Sequence, residues 1–265
     1  AHYETVNAAR TFTPARALDL AEVASARGIP VPQSDRFNRS GGAWTLEAWI
    51  KPDLDTDGGG ADTGDDTGAI LSYQVGGKTA MEIGLNAGIP YALFQTVGNT
   101  TVTAGGAEAG IPAFQDGKWR HVAAVWSPGT SSLSLTIDGM IEFSQYTAFA
   151  PLAGHGQLYL AGVGAADGTG RLAAGLLDEV RVWDSPRNRV QLQAGRDNII
   201  QAGTPGLLAY YRFDDSGENI EDFAHAYPAI DAEDYDLERA ANGVDKTDAL
   251  ALNGVDVIGA VGDWL

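Results

Sequence analysis

The residue pattern along this chain has a period of two. In Trp44-Thr45-Leu46-Glu47-Ala48-Trp49-Ile50, positions 44, 46, 48 and 50 are apolar and share one side of an extended backbone. Ser132-Leu133-Ser134-Leu135-Thr136-Ile137 repeats the pattern, with Leu and Ile facing in and Ser and Thr facing out. Such alternation fits a half-buried strand and not a helix. The runs end in Lys51-Pro52-Asp53 and in Asp138-Gly139, both turn signals. Further predicted strands are 69–73, 80–85, 91–96, 120–126, 141–146, 157–161, 176–183 and 207–213, separated by Gly, Pro or Asn. Short strands at this spacing predict two antiparallel sheets packed face to face, an all-β fold rather than βαβ units. One short helix is predicted at 186–195, with Ser185 as its cap, Pro186 in its first turn and Gly195 at its close. Local propensity also permits a helix over 18–26.

Charge narrows the function. The chain has 265 residues, 35 acidic and 17 basic, for a net charge of −18. That excludes ordinary nucleic-acid binding, which needs a basic stripe. No apolar run approaches the roughly 18 residues of a membrane helix. With no cysteine, disulfides, thiolate metal sites and cysteine nucleophiles are excluded. The acids are mostly Asp, and Asp with 34 Gly points to turns and oxygen-rich cation sites, or to a heavily hydrated marine or halophilic surface. From Asp214 onward there are 14 acids and two bases, so residues 1–225 read as one domain. Residues 226–265 read as an acidic segment that wraps the domain or begins a following unit. The start at Ala1 suggests a processed protein or a fragment of a longer, multi-domain chain.

Four segments in order carry a family resemblance. Ala43–Pro52, Gly117-Lys118-Trp119-Arg120-His121-Val122-Ala123, Leu135-Thr136-Ile137-Asp138-Gly139 and Gly175–Trp183 resemble successive strands of the laminin-G-like, concanavalin A-like jelly rolls. The resemblance spans about residues 16–213. It implies a two-sheet jelly-roll sandwich that binds carbohydrate or protein, often with calcium, and it does not imply catalysis. It also implies an opening strand at Ala17–Leu20 in place of a helix. Leu208–Asp215 resembles a strand found beside such units in large bacterial surface proteins, and Ala249–Asp256 resembles the family's opening strand.

Calcium is the strongest chemical expectation. Asp53-Leu54-Asp55-Thr56-Asp57-Gly58 starts a loop of alternating carboxylates around a tight Gly turn, and Asp62, Asp65 or Asp66 could complete a shell of 6–8 oxygens. The alternative is a disordered acidic insertion. By resemblance, Asp178 is a further calcium ligand; its alternative is turn capping. Asp214, Asp215, Glu218 and Asp222 form a third acidic group. The pentraxin calcium pair is replaced by Gly77-Lys78-Thr79 after Ile70-Leu71-Ser72-Tyr73, so phosphocholine binding of that type is not expected.

Catalysis finds no support in the residues. Glycosidases need two facing carboxyls. Glu47 stands alone on its strand, and Asp178 and Glu179 are expected on opposite faces. His121 is expected as a hydrogen-bonded structural residue, and no nucleophile elbow or zinc-protease motif occurs. Trp49, Tyr73, Tyr91 and Trp126 are the candidates for stacking on a ligand from one shared face, with core packing as the alternative for each. The reading is a non-catalytic extracellular or cell-surface adhesion module, calcium-stabilised, for a glycan or protein partner. The rival is a structural spacer or assembly repeat.

Overall fold

The computed structural model describes residues 16–20, 28–31, 37, 42–52, 67–114, 117–165, 170, 175–213, 222–224, 249–252 and 255–259. Its strands are β1 (Arg16–Asp19), β2 (Ile29–Pro30), β3 (Trp44–Lys51), β4 (Gly68–Val75), β5 (Lys78–Asn86), β6 (Ile89–Gln95), β7 (Thr101–Gly105) and β8 (Arg120–Ser127). They continue with β9 (Ser132–Ile137), β10 (Ile141–Tyr146), β11 (Gln157–Leu160), β12 (Leu176–Trp183), β13 (Leu207–Tyr211), β14 (Ala249–Leu252) and β15 (Val255–Gly259). One sheet, A, runs β10-β9-β8-β3-β12-β1-β15-β14, with β13 also on β12; the other, B, runs β2-β11-β4-β5-β6-β7. This is the expected two-sheet antiparallel jelly roll.

Alternation builds the core. Trp44, Leu46, Ala48 and Ile50 of β3 face inward beside Val122, Ala124 and Trp126 of β8. From sheet B, Tyr73, Met81, Ile83, Phe94 and Leu158 meet them. Aromatic edges interlock across the layers: Trp44 and Tyr73 have ring centroids 4.7 Å apart, Phe94 and Trp126 5.2 Å.

β12 departs from strict alternation. Leu177 and Val180 both lie in the core, which a period of two cannot place on one side. A register shift between Asp178 and Arg181, with Glu179 at φ 51°, resolves this as a bulge. Asp178 pairs with outward-facing Trp49, and Glu179 contacts Arg181, the partner of outward-facing Glu47. Both acids therefore project from the outer face of sheet A, not to opposite faces as expected. The bulge also divides the strand's far edge, where β1 pairs at Leu176 and Leu177 and β13 pairs from Val180 onward.

The helix, α1, spans Arg189–Gly195, shorter than the expected 186–195. Thr45 donates its hydroxyl to the Ser185 carbonyl at 2.8 Å and accepts the Arg187 amide at 2.9 Å, so the chain through Pro186 is tied to β3. Asn188, not Ser185, is the cap, in a reciprocal capping box with Gln191. α1 lays Leu192 on Ala123 and Val125 of the outer face of sheet A. The Asp138-Gly139 turn docks against it: a Cβ at Gly139 would come 2.6 Å from the Gln193 Cα. β14 and β15 form a hairpin whose second strand pairs with β1.

Candidate functional site

Two outer faces remain once the core is assigned. On sheet A, Glu47, His121, Glu179, Arg181 and Trp183 point away from the core yet are buried, under α1, the following loop and residues 222–224. Burying charge is costly unless each group is paired. Here the Glu47 carboxylate meets His121 Nε2 at 3.0 Å and accepts the Trp183 indole N–H at 2.7 Å, with Arg181 3.8 Å away. Arg181 pairs with Glu179, donates to the carbonyls of Gly195 (3.0 Å) and Asn198 (2.9 Å), and lies 4.8 Å over the Tyr210 ring. Tyr210 donates its hydroxyl to Glu179. Burial alone would raise the Glu47 carboxyl, but the His121 hydrogen bond, the Arg181 charge and the Trp183 donor hold it down at about 2.

The same network fixes the loop that covers it. Trp49 donates its indole N–H to the Arg196 carbonyl at 2.9 Å, and the Arg196 guanidinium sits 5.9 Å over the Trp49 ring. Asp138 accepts the His121 amide at 3.0 Å and Arg120 at 3.2 Å, while Arg196 donates to the Asp138 carbonyl. Glu47 and Glu179 thus flank one arginine, a juxtaposition the sequence did not reveal because the bulge creates it. Their oxygens are taken by buried donors. His121 has the hydrogen-bonded role expected of it.

Sheet B presents a different outer face. The cross-strand row Tyr159, Ser72, Glu82, Leu93, Thr103 runs from β11 to β7 and opens toward its far end, where Leu93 is half-buried and Thr103 exposed. Among the described residues no helix or strand covers it. Tyr91 lies across Gly84, where a Cβ would be 2.3 Å from its hydroxyl, and donates to Glu82 at 2.8 Å. Gln74 bonds Ser72 and, at 3.0 Å, Thr79. Burial pushes the Glu82 carboxyl up to about 7 despite donors from Tyr91 and Ser72. It also pushes the Tyr91 phenol up, with the Glu82 charge adding to the effect.

The four aromatic candidates do not share a face. Tyr73 and Trp126 are core residues between the sheets, and Trp49 is buried beneath the loop after α1. Tyr91, on sheet B, is the one of the four that is half-buried rather than buried. Strand parity could separate Trp49 from Trp44 but could not say that the outer face of sheet A is closed.

Of the expected metal ligands, Asp53, Asp55, Asp57, Asp65 and Asp66 lie outside the described residues. Asp178 is buried, and its Oδ1 accepts the Glu179 amide at 2.7 Å, the capping alternative. Among the described residues no three His, Asp or Glu side chains are grouped closely enough to hold a metal ion. The flanks of the acidic segment meet at Asp178's end of the sandwich. Lys51 pairs with Leu176, and Thr67 accepts the Ala87 amide at the β5–β6 turn.

No curated protein sequence matches the chain. Among solved structures, a Bacteroides ovatus protein assigned as carbohydrate-binding superposes with a TM-score of 0.53 at 19% identity, over 79% of this chain and 55% of that one. The chain thus spans about half the length of that protein. A heptameric SAP-like pentraxin of Limulus polyphemus matches at 0.45 and 15% identity, over 68% and 81% of the two chains. Mouse laminin α1 domains LG4-5 match at 0.45 and 17%, over 70% and 46%. Among the described residues no helix is long and apolar enough to cross a membrane. A family model, the laminin-G type of the concanavalin A-like lectin/glucanases superfamily, matches residues 24–193, more than half of the sequence. The chain belongs to the concanavalin A-like lectin/glucanases superfamily.

Proposed function

We propose that this domain is a non-catalytic, extracellular binding module that takes a glycan or protein partner on the outer face of sheet B. The observation that carries this reading is the contrast in access. The paired carboxylates of sheet A are buried and saturated with donors, whereas Tyr91 keeps an edge in solvent, half-buried beside a polar row that opens toward β7. An aromatic ring with fixed polar neighbours suits recognition. The assignment of the Bacteroides ovatus relative as carbohydrate-binding supports the glycan arm.

Calcium belongs to the same reading. The acidic segment is rich in carboxylate oxygens, the donors a hard divalent cation takes. Asp53, Asp55, Asp57, Asp65 and Asp66 would hold the ion, with Asp178 contributing from β12. Its role is to rigidify the segment that carries these acids and to offset repulsion among them.

Glycan-array binding with and without chelator is the test. Binding that Tyr91→Ala reduces, and that chelation weakens while lowering Tm, supports the proposal; calcium at about 100 times its Kd should add roughly 2.7 kcal/mol. Unchanged melting in chelator removes the calcium. Silence on every glycan, together with concentration-dependent self-association, replaces the module with an assembly repeat.

A further inference from the structure

Six acidic side chains are buried among the described residues, and five of them are answered by a cation or by backbone amides. Glu47 has His121 and Arg181, Asp138 has Arg120 and Arg196, and Glu179 has Arg181 and Arg212, each within 4.0 Å. Asp178 accepts the Glu179 amide, and Asp222 accepts the amides of Tyr210 and Ala224. Glu82, at 5% exposure, is answered differently. Its partners among the described residues are two neutral hydroxyls, that of Tyr91 at 2.8 Å and that of Ser72.

An ionised carboxyl accepts about four hydrogen bonds, so two hydroxyls leave it acceptor capacity to spare. The surrounding strands supply no charge to use it. Toward Glu82, β4 presents Ser72 and Gln74, β5 presents Thr79 and Gly84, and β7 presents Thr103, none of them charged or titratable. The titratable groups on this side are the phenols of Tyr91 on β6 and Tyr159 on β11. Lys78 stands at the start of β5, roughly 13 Å away at the rise of a strand. Glu82 is therefore the one formal charge in the row from Tyr159 to Thr103. Beside it Tyr91 pairs in register with Gly84 and Gly105, so the neighbouring strands raise no side chain at those positions.

We propose that Glu82 anchors a cationic side chain, Lys or Arg, of a protein partner docked on the outer face of sheet B. This rests on the reading of that face as the binding one and names the chemistry of the partner. The entering cation supplies the counter-charge that Glu47, Asp138 and Glu179 each find within the chain. The Tyr91 ring offers the same cation a π face. Depth decides the source: at 5% exposure the carboxyl is reached by a charge on a slender stem, as Lys and Arg carry it. An ammonium fixed directly to a sugar ring brings the bulk of the ring with it. A net charge of −18 steers a basic partner inward. Burial holds the Glu82 carboxyl up at about 7, and a bound cation favours its ionised form, so binding strengthens as pH rises through 7.

Titration calorimetry of the full chain with tetralysine, its fully acetylated form and a glucosamine tetramer tests this at about 0.15 M salt, where diffuse attraction is screened. The expected result is binding of tetralysine and none of the acetylated form. Glu82→Gln should weaken tetralysine roughly tenfold or more, although it removes one acid of 35, and Glu142→Gln on β10 should not. Its Tm at pH 8 should equal or exceed the parent's, because Gln brings no charge to bury. Between pH 8 and 5.5 the parent should lose affinity roughly 30-fold, as the ionised fraction of a group titrating near 7 falls, and Glu82→Gln should stay flat. Absence of tetralysine binding overturns the proposal, as does binding that Glu82→Gln leaves unchanged. In either case glycan binding that Tyr91→Ala still reduces leaves the face itself standing. Glucosamine bound at pH 7 as tightly as tetralysine, and weakened by Glu82→Gln, overturns the protein partner in favour of an amino sugar.

Discussion

β3 and β6 each lie between two antiparallel neighbours, yet they solve opposite problems. β6 alternates buried and half-buried positions along its whole length, with Ala92 and Phe94 in the core and Tyr91 and Leu93 turned outward. β3 is buried at seven of its eight positions, so its outward-facing Thr45, Glu47 and Trp49 have lost water as completely as Leu46. The same period-two sequence therefore produces one face that meets solvent and one that carries a second, polar core. The cover, α1 and the loop after it, makes the difference, and that cover is held by the polar groups it encloses. A face of this kind stabilises the domain; the other is the face proposed above to bind.

The comparison breaks first at Arg181. Arg181→Ala strands Glu47 and Glu179 in a buried site, and the expected loss is about 3–5 kcal/mol in urea denaturation. A loss below about 1 kcal/mol would mean that the face is open to water.

Acidity separates the faces in sign. Glu82 holds its proton to about pH 7 in the folded state against 4.5 unfolded, so its contribution is present below pH 4.5 and fades as pH rises through 7, by on the order of 3 kcal/mol. Glu47 behaves oppositely: its contribution is present above pH 4.5 and is lost as pH falls toward 2. Stability measured across this range should therefore flatten on the alkaline side in Glu82→Gln and on the acid side in Glu47→Gln. Parallel curves for both variants and the parent would contradict the two environments.

A smaller effect is expected at the cover's docking point. Gly139→Ala places a side chain at φ 63° and against Gln193, and should cost about 2 kcal/mol, read as a lowered Tm. Wild-type melting would show that α1 tolerates displacement.

The sheets were largely legible because alternation and turn residues encode them directly, as at 44–50 and 132–137. β7 was missed because Thr-Val-Thr-Ala-Gly carries little apolar signal at a sheet edge. The helix start was misplaced because Ser185 and Pro186 match the usual cap chemistry, while the tertiary bonds through Thr45 that displace it are invisible locally. The bulge at 178–179 was illegible for the same reason: it arises where β12 exchanges β1 for β13. Of the aromatic candidates, parity could sort faces but not covers. Tyr91 stands apart from Trp49 only once α1 and its loop are in place.

The sealed face and the open face are compared most directly by equilibrium urea denaturation of Glu47→Gln and Tyr91→Phe at neutral pH, each of which removes one polar function without opening a cavity. Glu47→Gln should cost about 3 kcal/mol or more, and Tyr91→Phe about 1 kcal/mol or less. Equal losses, or a larger loss at Tyr91, would contradict the assignment of structure to one face and binding to the other.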